Sequence, residues 1–324
     1  MNTHCDTIGY RTSAGLPGCQ PYLTYPLLVL FNLAIWAGLV NTGLALESIF
    51  TLAFLTSLLS LGLLESRAPF RHDWRPTGTE WLLNAAAFFP NGLLDTAGRL
   101  LAALIAIRLG AQENSLPFPL AVPLAIVVSE FFTYWAHRLG HRVAWLWKVH
   151  GIHHLPDKVN LANTNTIHFL DMFGTSLVSA LPLVLLGFSS EAIALALFIT
   201  GLQNFIVHVN TDIRLGRLGY LIMGPAHHRL HHSIIAAEAQ NYGTTLALWD
   251  QLFGTFLYGP GKTPRVVGVI APGKFPSANR VLHCQLHPFL KADATGGDET
   301  ATISAMYRHR IKQWLKLPGD PQAG

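Results

Sequence analysis

The chain has 324 residues, of which half are hydrophobic and only 12% are charged, whereas soluble domains carry about 25% charged residues. The mean hydropathy is +0.34 and the formal net charge is +4. These values favour an integral membrane protein, and the absence of a long basic run argues against nucleic-acid binding. The three cysteines contain no C-x-x-C pair, which argues against a disulfide scaffold. The first 24 residues are polar and do not resemble a cleavable signal peptide.

Six apolar stretches of membrane-spanning length follow a polar tail at 1–25. They are 26–44, 48–64, 81–109, 120–136, 175–188 and 192–209. The third contains Pro90, Asp95 and Arg99, and the last two lie one helical turn apart, close enough to pair. The fifth stretch is short. Brief turns between the first and second stretches, and between the fifth and sixth, predict helical hairpins.

Lysine and arginine residues follow the second, fourth and sixth stretches. They are Arg67, Arg71, Arg75, Arg138, Arg142, Lys148, Lys158, Arg214, Arg217 and Arg229. Because such residues concentrate on the cytoplasmic side, we predict an all-α polytopic membrane protein of hairpin helices with a cytoplasmic histidine-rich cap. Three hairpins make an even number of crossings, which places both termini in the cytoplasm. A helical pattern at 300–317 carries basic residues and a tryptophan, and is either an amphipathic helix on the membrane or a solvated helix.

Eleven of the 16 histidines lie between residues 137 and 232. Eight of them form the clusters His137-x-x-x-His141, His150-x-x-His153-His154 and His228-x-x-His231-His232. Residues at i, i+3 and i+4 share a helix face, so we expect each cluster to point its imidazoles in one direction. Eight imidazoles are too many for one ion and predict a two-metal site. Neutral imidazole binds iron, zinc, copper and nickel.

Other polar residues are candidates near this site. His208 ends the sixth apolar stretch, where a histidine is costly unless it has a function, so it is a further candidate ligand. The sequence leaves open whether His168 and His227 bind metal. Asp157, Asp171, Asp212 and Asp250 are candidate hydrogen-bond acceptors for ligand ring nitrogens, and Glu130 is expected to support the site. Asn241 is a candidate partner of a ligand histidine or a turn residue. The chain lacks the His-Glu-x-x-His, Gly-x-Ser-x-Gly and dinucleotide-binding motifs.

The order and spacing of the clusters resemble the fatty acid hydroxylase/sterol desaturase superfamily of membrane di-iron oxygenases. The matching stretches are 130–141 (EFFTYWAHRLGH), 146–154 (LWKVHGIHH), 228–233 (HRLHHS), 241–243 (NYG) and 249–255 (WDQLFGT). The resemblance covers about residues 119–290. Family members often carry Arg-x-His-Pro after the second cluster, where this chain reads Thr-Ile-His-Phe at 166–169. Because of this departure, the resemblance does not assign a role to His168 or define the class of substrate.

The resemblance implies a set of metal ligands: His137, His141, His150, His153, His154, His208, His228, His231 and His232. It implies two iron ions, O2 as co-substrate, and hydroxylation or desaturation of a lipid such as a sterol or fatty-acyl lipid. Because no haem or flavin motif is visible, electrons are expected from a separate cytochrome, ferredoxin or reductase. A zinc-dependent membrane hydrolase and a metal-binding or metal-transport protein remain alternatives. The expected organisation is a tail at 1–25, a transmembrane hairpin region at 26–118, a catalytic domain at 119–290 and a tail at 291–324.

Overall fold

The computed structural model describes residues 20–259, 262–269 and 274–290. The predicted helix at 300–317, and most of the predicted N-terminal tail, lie outside these residues. The described part of the chain consists of helices and loops joined by isolated β-bridges, without a strand. The predicted all-α class is therefore confirmed. The helices are α1 (Gln20–Val40), α2 (Leu46–Arg67), α3 (Gly78–Arg108), α4 (Phe118–Arg142), α5 (Ala144–His150), α6 (Phe169–Leu185), α7 (Ser190–His208), α8 (Pro225–His231), α9 (Leu248–Leu252) and α10 (Val281–Leu286).

Local sequence signals explain where several helices begin. At the start of α3 the Thr77 hydroxyl accepts a hydrogen bond from the Glu80 backbone N–H, and the Glu80 carboxylate accepts one from the Thr77 N–H. This reciprocal pair satisfies two N–H groups that have no partner inside the helix. Ser189 caps α7 in the simpler way, through its hydroxyl. Gly43 occupies the left-handed region, with φ +75°, in the turn between α1 and α2.

Four described helices are long and apolar enough to cross a membrane by length and composition: α1, α2, α4 and α7. Their outward faces expose large aliphatic side chains, including Leu30 at 63% and Leu59 at 65%. Exposed apolar side chains of this kind call for a lipid or protein partner, and on four helices of spanning length they support a membrane protein. The six predicted stretches are thus not all equivalent. Helix α6, which overlaps the fifth predicted stretch, has only 17 residues. Helix α3, which overlaps the third, contains the polar Asp95 and Arg99. The number of membrane crossings therefore remains a prediction.

Helices α3 and α6 make the most extensive helix–helix contact among the described residues. Gly98 permits this approach, because a Cβ atom there would lie 2.7 Å from the Phe173 carbonyl oxygen and 2.9 Å from Ser176 Cβ. Asp95 pairs with Arg99 at 2.9 Å, as predicted, and also accepts a 2.6 Å hydrogen bond from the Ser176 hydroxyl. Asp95 and Arg99 therefore have partners inside the helix bundle.

The first hairpin packs against α7 through aromatic residues. Trp36 of α1 and Phe198 of α7 have ring centroids 4.7 Å apart, and Leu61 of α2 is fully buried in the same cluster. A second apolar cluster joins α3, α4, α6 and α7. Helix α4 runs to Arg142, beyond the apolar stretch predicted at 120–136, and this extension carries His137 and His141 on its last turns.

Candidate metal centre

Nine histidine side chains meet in two adjoining groups at one end of the helix bundle. The five-histidine group contains His137, His141, His150, His154 and His231, and the four-histidine group contains His153, His208, His228 and His232. Within each group, one ring nitrogen of every member lies within 4.8 Å of those of all the others. The groups touch, since the stacked rings of His154 and His232 have centroids 4.3 Å apart. The structure therefore brings together all nine histidines that the sequence nominates.

The three sequence clusters do not each point in one direction, so this expectation is wrong. Residues at i and i+4 stay together: His150 and His154 enter the five-histidine group, whereas His228 and His232 enter the four-histidine group. The member at i+3 of each triple joins the opposite group, as His153 and His231 do. Neighbouring residues in a helical turn project about 100° apart. The adjacent pairs at 153–154 and 231–232 therefore diverge, and the second and third clusters contribute to both groups.

Five of the nine imidazoles are oriented by hydrogen bonds at Nδ1. The acceptors are the carbonyl oxygens of Tyr242 for His137 (2.6 Å), Thr166 for His153 (3.2 Å), Asn204 for His208 (2.7 Å) and Gln240 for His231 (2.8 Å), and the Asp171 carboxylate for His150 (2.7 Å). A carbonyl oxygen can only accept, so Nδ1 carries the proton in these rings. The Nε2 lone pair of each neutral ring is left free, which is the arrangement of metal-ligating histidines.

In the four-histidine group, the Nε2 atoms of His153 and His208 face each other without a proton between them. His208 Nε2 lies 3.0 Å from His153 Nε2 and 2.9 Å from His228 Nε2. The first two rings carry their protons on Nδ1, so two lone pairs oppose each other at close range, which is repulsive. In the five-histidine group, the Nε2 atoms of His137 and His231 are buried without any hydrogen-bond partner. A cation bound in each group would remove the repulsion between lone pairs and would give the buried Nε2 atoms a partner. This donor set therefore fits a pair of metal ions.

Burial keeps several of these rings neutral. The pKa values of His154, His228 and His232 lie well below the ordinary 6.5, first because burial disfavours the imidazolium form and second because neighbouring histidines would repel its charge. Neutral imidazole is the form that binds metal. Since imidazole ligands add no negative charge, two dications held here would remain strongly electropositive.

A short loop presents two of the carbonyl acceptors. The Asp250 carboxylate accepts from the N–H groups of Tyr242 (2.8 Å) and Gly243 (2.7 Å). Glu130 of α4 accepts from the Thr245 N–H at 2.9 Å. These carboxylates therefore act through the loop that orients His137, and Asp250 does not contact a ligand ring. Burial raises the pKa of Asp250 to about 6.

Other candidate residues have different roles. Asp171 bonds to His150 as expected, whereas Asp212 pairs with Arg214 at 2.8 Å. Asn241 adopts a positive φ of 61° and bonds the backbone of Leu257 at 2.8 Å, so it shapes a turn.

His168 and His227 stand outside both groups. The Nδ1 atom of His168 caps α6 by accepting from the Leu170 N–H, and its Nε2 donates to the Gln285 carbonyl. His227 similarly uses one nitrogen for the Gly224 N–H and the other for the Gly219 carbonyl. Both nitrogens of each ring are therefore occupied by backbone groups.

The sequence reasoning missed Glu65 and Arg229. Glu65, 2% exposed at the end of α2, accepts from the N–H groups of Leu161 (2.9 Å) and Asn210 (2.7 Å). It ties the first hairpin to the segments that follow the second cluster and His208. Arg229 is 3% exposed and donates to the carbonyls on either side of Asn210, at Val209 and Thr211. A carboxylate directly after the apolar stretch at 48–64 is the signal that could have found Glu65.

Comparison with known proteins assigns the chain to a family. The model of the fatty acid hydroxylase family matches residues 122–255, a range that contains all nine histidines. A Rhizobium tropici protein named ornithine lipid hydroxylase OlsE is 30% identical over 282 residues, which cover 80% of this chain and 82% of that protein. The chain belongs to the fatty acid hydroxylase/sterol desaturase superfamily.

Other members of the superfamily match a smaller part. The Xenopus tropicalis alkylglycerol monooxygenase is 30% identical over 165 residues, 48% of this chain and 35% of that enzyme. The Arabidopsis thaliana putative Delta(7)-sterol-C5(6)-desaturase 2 is 27% identical over 142 residues, 43% and 48% of the two chains. No solved structure shows a significant match. Hydroxylases, monooxygenases and desaturases are all oxidoreductases, and this superfamily member is an oxidoreductase of that lipid-modifying family.

Proposed function

We propose that this superfamily member is a membrane di-iron oxygenase that inserts oxygen into a C–H bond of a lipid, or desaturates it, with electrons from a separate protein. Hydroxylation follows R–H + O2 + 2e⁻ + 2H⁺ → R–OH + H2O. Desaturation consumes the same O2, electrons and protons, removes two hydrogens from the lipid and releases two waters. The observation that carries the proposal is the pair of adjoining groups of neutral imidazoles, with unprotonated Nε2 atoms 3.0 Å apart.

The histidines would hold one iron in each group, and the bound irons would supply the activation of O2 for attack on the C–H bond. The protein's own contribution is to hold the imidazoles in the ligating tautomer. Nδ1–H donation to four carbonyls and to Asp171 fixes the rings before metal binds. The four-histidine group is fully buried, and this burial excludes the water that would quench a reactive oxidant.

We propose a cytoplasmic location for the metal centre. The centre lies at the ends of α4 and α7 that adjoin the basic residues Arg138, Arg142 and Arg214, and such residues concentrate on the cytoplasmic side. A lipid could then reach the histidines from the bilayer, and a soluble electron donor could reach them from the cytoplasm. Cysteines introduced beside these arginines should react with a membrane-impermeant maleimide only after cells are opened. Labelling of intact cells would contradict this orientation.

The first substrate to test is an amino-acid-containing lipid. The ornithine lipid hydroxylase is similar along 80% of this chain, whereas the sterol desaturase relative aligns along 43%. Extracts of a host with and without the gene should differ in lipid species by one added oxygen for hydroxylation, or by two missing hydrogens for desaturation.

Purified protein reconstituted with iron should oxidise such a lipid only when O2 and a reductant are present. His153→Ala and His231→Ala each remove one ligand candidate, from different groups, and both should abolish turnover. His72→Ala, outside both groups, is the matched control and should retain it. Full turnover without O2 would overturn the oxygenase proposal. Hydrolysis of the lipid by zinc-loaded protein would support the hydrolase alternative instead.

A further inference from the structure

Glu65 lies outside residues 122–255, the range that the family model matches, yet it bonds to segments of that range. It is on the last turn of α2 and is 2% exposed. One carboxylate oxygen, Oε2, accepts from the Leu161 N–H at 2.9 Å and from the Asn210 N–H at 2.7 Å. Burying a carboxylate is costly, so a carboxylate at this position calls for a function that an apolar residue could not serve.

Asn210 is the point at which the chain leaving α7 is held. Its carbonyl oxygen accepts from the Phe70 N–H at 2.8 Å. Its Oδ1 accepts from the Arg71 N–H at 2.9 Å, and its Nδ2 donates to the Arg71 carbonyl at 2.8 Å. Together with the bond to Glu65, these contacts use every polar group of a residue that is completely buried. The backbone two residues after His208 is therefore fixed to the end of α2 and the residues that follow it.

Arg229 holds the same segment from α8. Its Nη2 donates to the Val209 carbonyl at 3.0 Å and to the Thr211 carbonyl at 2.7 Å. These are the carbonyls on either side of Asn210, and Arg229 directly follows His228 in the chain. The segment after α7 is therefore held both by α2 and by the helix that carries His228.

The bonds from Glu65 lie next to the closest contact of the four-histidine group. His208 Nε2 is 3.0 Å from His153 Nε2, with opposing lone pairs. At Asn210, Glu65 holds the backbone just after His208. At Leu161, it holds the backbone between His153 and the carbonyl that accepts from His153 Nδ1. Because opposing lone pairs repel, the fold has to hold these two rings at the spacing that a shared ion requires.

We propose that Glu65 is a positioning residue for the ion of the four-histidine group, because its carboxylate sets the spacing of His153 and His208. The first hairpin is then a part of the metal centre as well as a membrane segment. The inference rests on the proposed function for the identity of the ion as iron. The positioning role itself can be measured with another divalent ion and without turnover.

Titration of purified, metal-free, full-length protein with Co²⁺ reports the affinity of each ion, and the visible absorption bands report its ligand geometry. Two substitutions separate the position of the carboxylate from its charge. Glu65→Gln keeps an acceptor oxygen at the same distance from the backbone, whereas Glu65→Asp keeps the charge and withdraws the oxygens by one methylene. Glu47→Asp makes the same change at an exposed position at the start of α2 and is the matched control.

Wild-type protein and Glu47→Asp should bind two Co²⁺ ions with the same absorption bands. Glu65→Asp should weaken one ion by about tenfold, which corresponds to the loss of one buried hydrogen bond. The absorption band of that ion should shift, and the other ion should be unaffected. Glu65→Gln should weaken binding less than Glu65→Asp. His208→Ala identifies the affected ion, since adding Glu65→Asp to His208→Ala should not change the affinity of the ion that remains.

Equal weakening of both ions by Glu65→Asp would overturn the proposal, because a general loss of stability acts on both groups. Wild-type binding in Glu65→Asp, or greater weakening by Glu65→Gln, would also overturn it, since the position of the oxygen would then be irrelevant. A single Co²⁺ per wild-type chain would remove the ion that the proposal requires.

Asn210→Ala breaks the two side-chain bonds to Arg71 and decides the matter if Glu65→Asp does not fold. It should weaken the same ion as His208→Ala, and unchanged Co²⁺ binding would overturn the proposal. Absence of O2-dependent oxidation by iron-loaded protein, together with the expected Co²⁺ pattern, would defeat the proposed function and leave the positioning role of Glu65 standing.

Discussion

Replacing Asp171 tests the proposal that the two histidine groups hold separate metal ions. Asp171 is the side-chain acceptor among the five Nδ1 contacts described above, and the other four acceptors are backbone carbonyls that substitution cannot remove. Its Oδ2 lies 2.7 Å from His150 Nδ1, and His150 belongs to the five-histidine group. Asp171→Ala therefore perturbs one group while leaving every ligand candidate in place.

The expected loss is about 10- to 100-fold in iron affinity, which is the usual effect of removing a hydrogen-bond partner of a ligand histidine. A hydrogen bond to a charged group contributes about 1.5–3 kcal/mol, and this range converts to a similar factor in affinity. Asp171→Asn retains an acceptor oxygen without the charge and should lose less. Asp73→Asn, which alters an exposed carboxylate paired with Arg71, is the matched control.

The assay is iron content per chain after dialysis against a graded series of chelator concentrations. Wild-type protein and Asp73→Asn should release two irons together at high chelator. Asp171→Ala should release one iron at chelator concentrations about 10- to 100-fold lower and keep the second. Release of both irons in parallel, from protein with unchanged thermal unfolding, would refute the assignment of His150 to a separate ion. An unchanged release curve would refute the orienting role of Asp171.

Three further outcomes follow from the geometry. His227→Phe should retain full iron content in metal analysis because both nitrogens of His227 bond to backbone groups. Loss of an iron from this variant would show that His227 is a metal ligand. Gly98→Leu should destabilise the protein by about 1–3 kcal/mol in chemical unfolding, since its Cβ would lie 2.7 Å from the Phe173 carbonyl oxygen and forces overpacking; wild-type stability would contradict the close contact of α3 and α6. Metal-free protein should lose stability as pH falls below about 6.5, because the unfolded chain then binds protons that the buried histidines exclude at their lowered pKa values; a denaturation midpoint that is flat from pH 8 to pH 5 would contradict this.

Part of the fold and site could be predicted because the signals are local. Long apolar stretches predict helices without knowledge of their neighbours, and the Asp95–Arg99 pair follows from the spacing of one turn. The choice of metal-ligand candidates likewise rests on histidine spacing and on His208 at the end of an apolar stretch. The C-terminal end of α4 was harder to predict from the sequence, because hydropathy falls where the helix continues into its histidine-bearing turns.

The roles of single carboxylates could not be read from position alone. Asp171 and Asp250 both lie near histidine clusters in the chain, yet one contacts His150 and the other holds the loop that carries Tyr242. The same limit applied to His168 and His227. Their backbone partners are either far away in the sequence, as Gln285 is for His168, or depend on the local backbone conformation. No spacing rule could therefore exclude the two histidines as ligands.

By itself, the sequence determined that the protein is helical and membrane-associated and that nine histidines belong to one centre. Composition, apolar length and i, i+4 spacing are properties of short segments. Only the tertiary structure decided how those histidines divide, because adjacent rings such as His153 and His154 diverge by one helical step and take their partners from different helices. The tertiary structure also decided which groups fix the tautomers of the histidines. Four of the five acceptors are backbone carbonyls, which every residue has, and only folding places the right ones beside the rings.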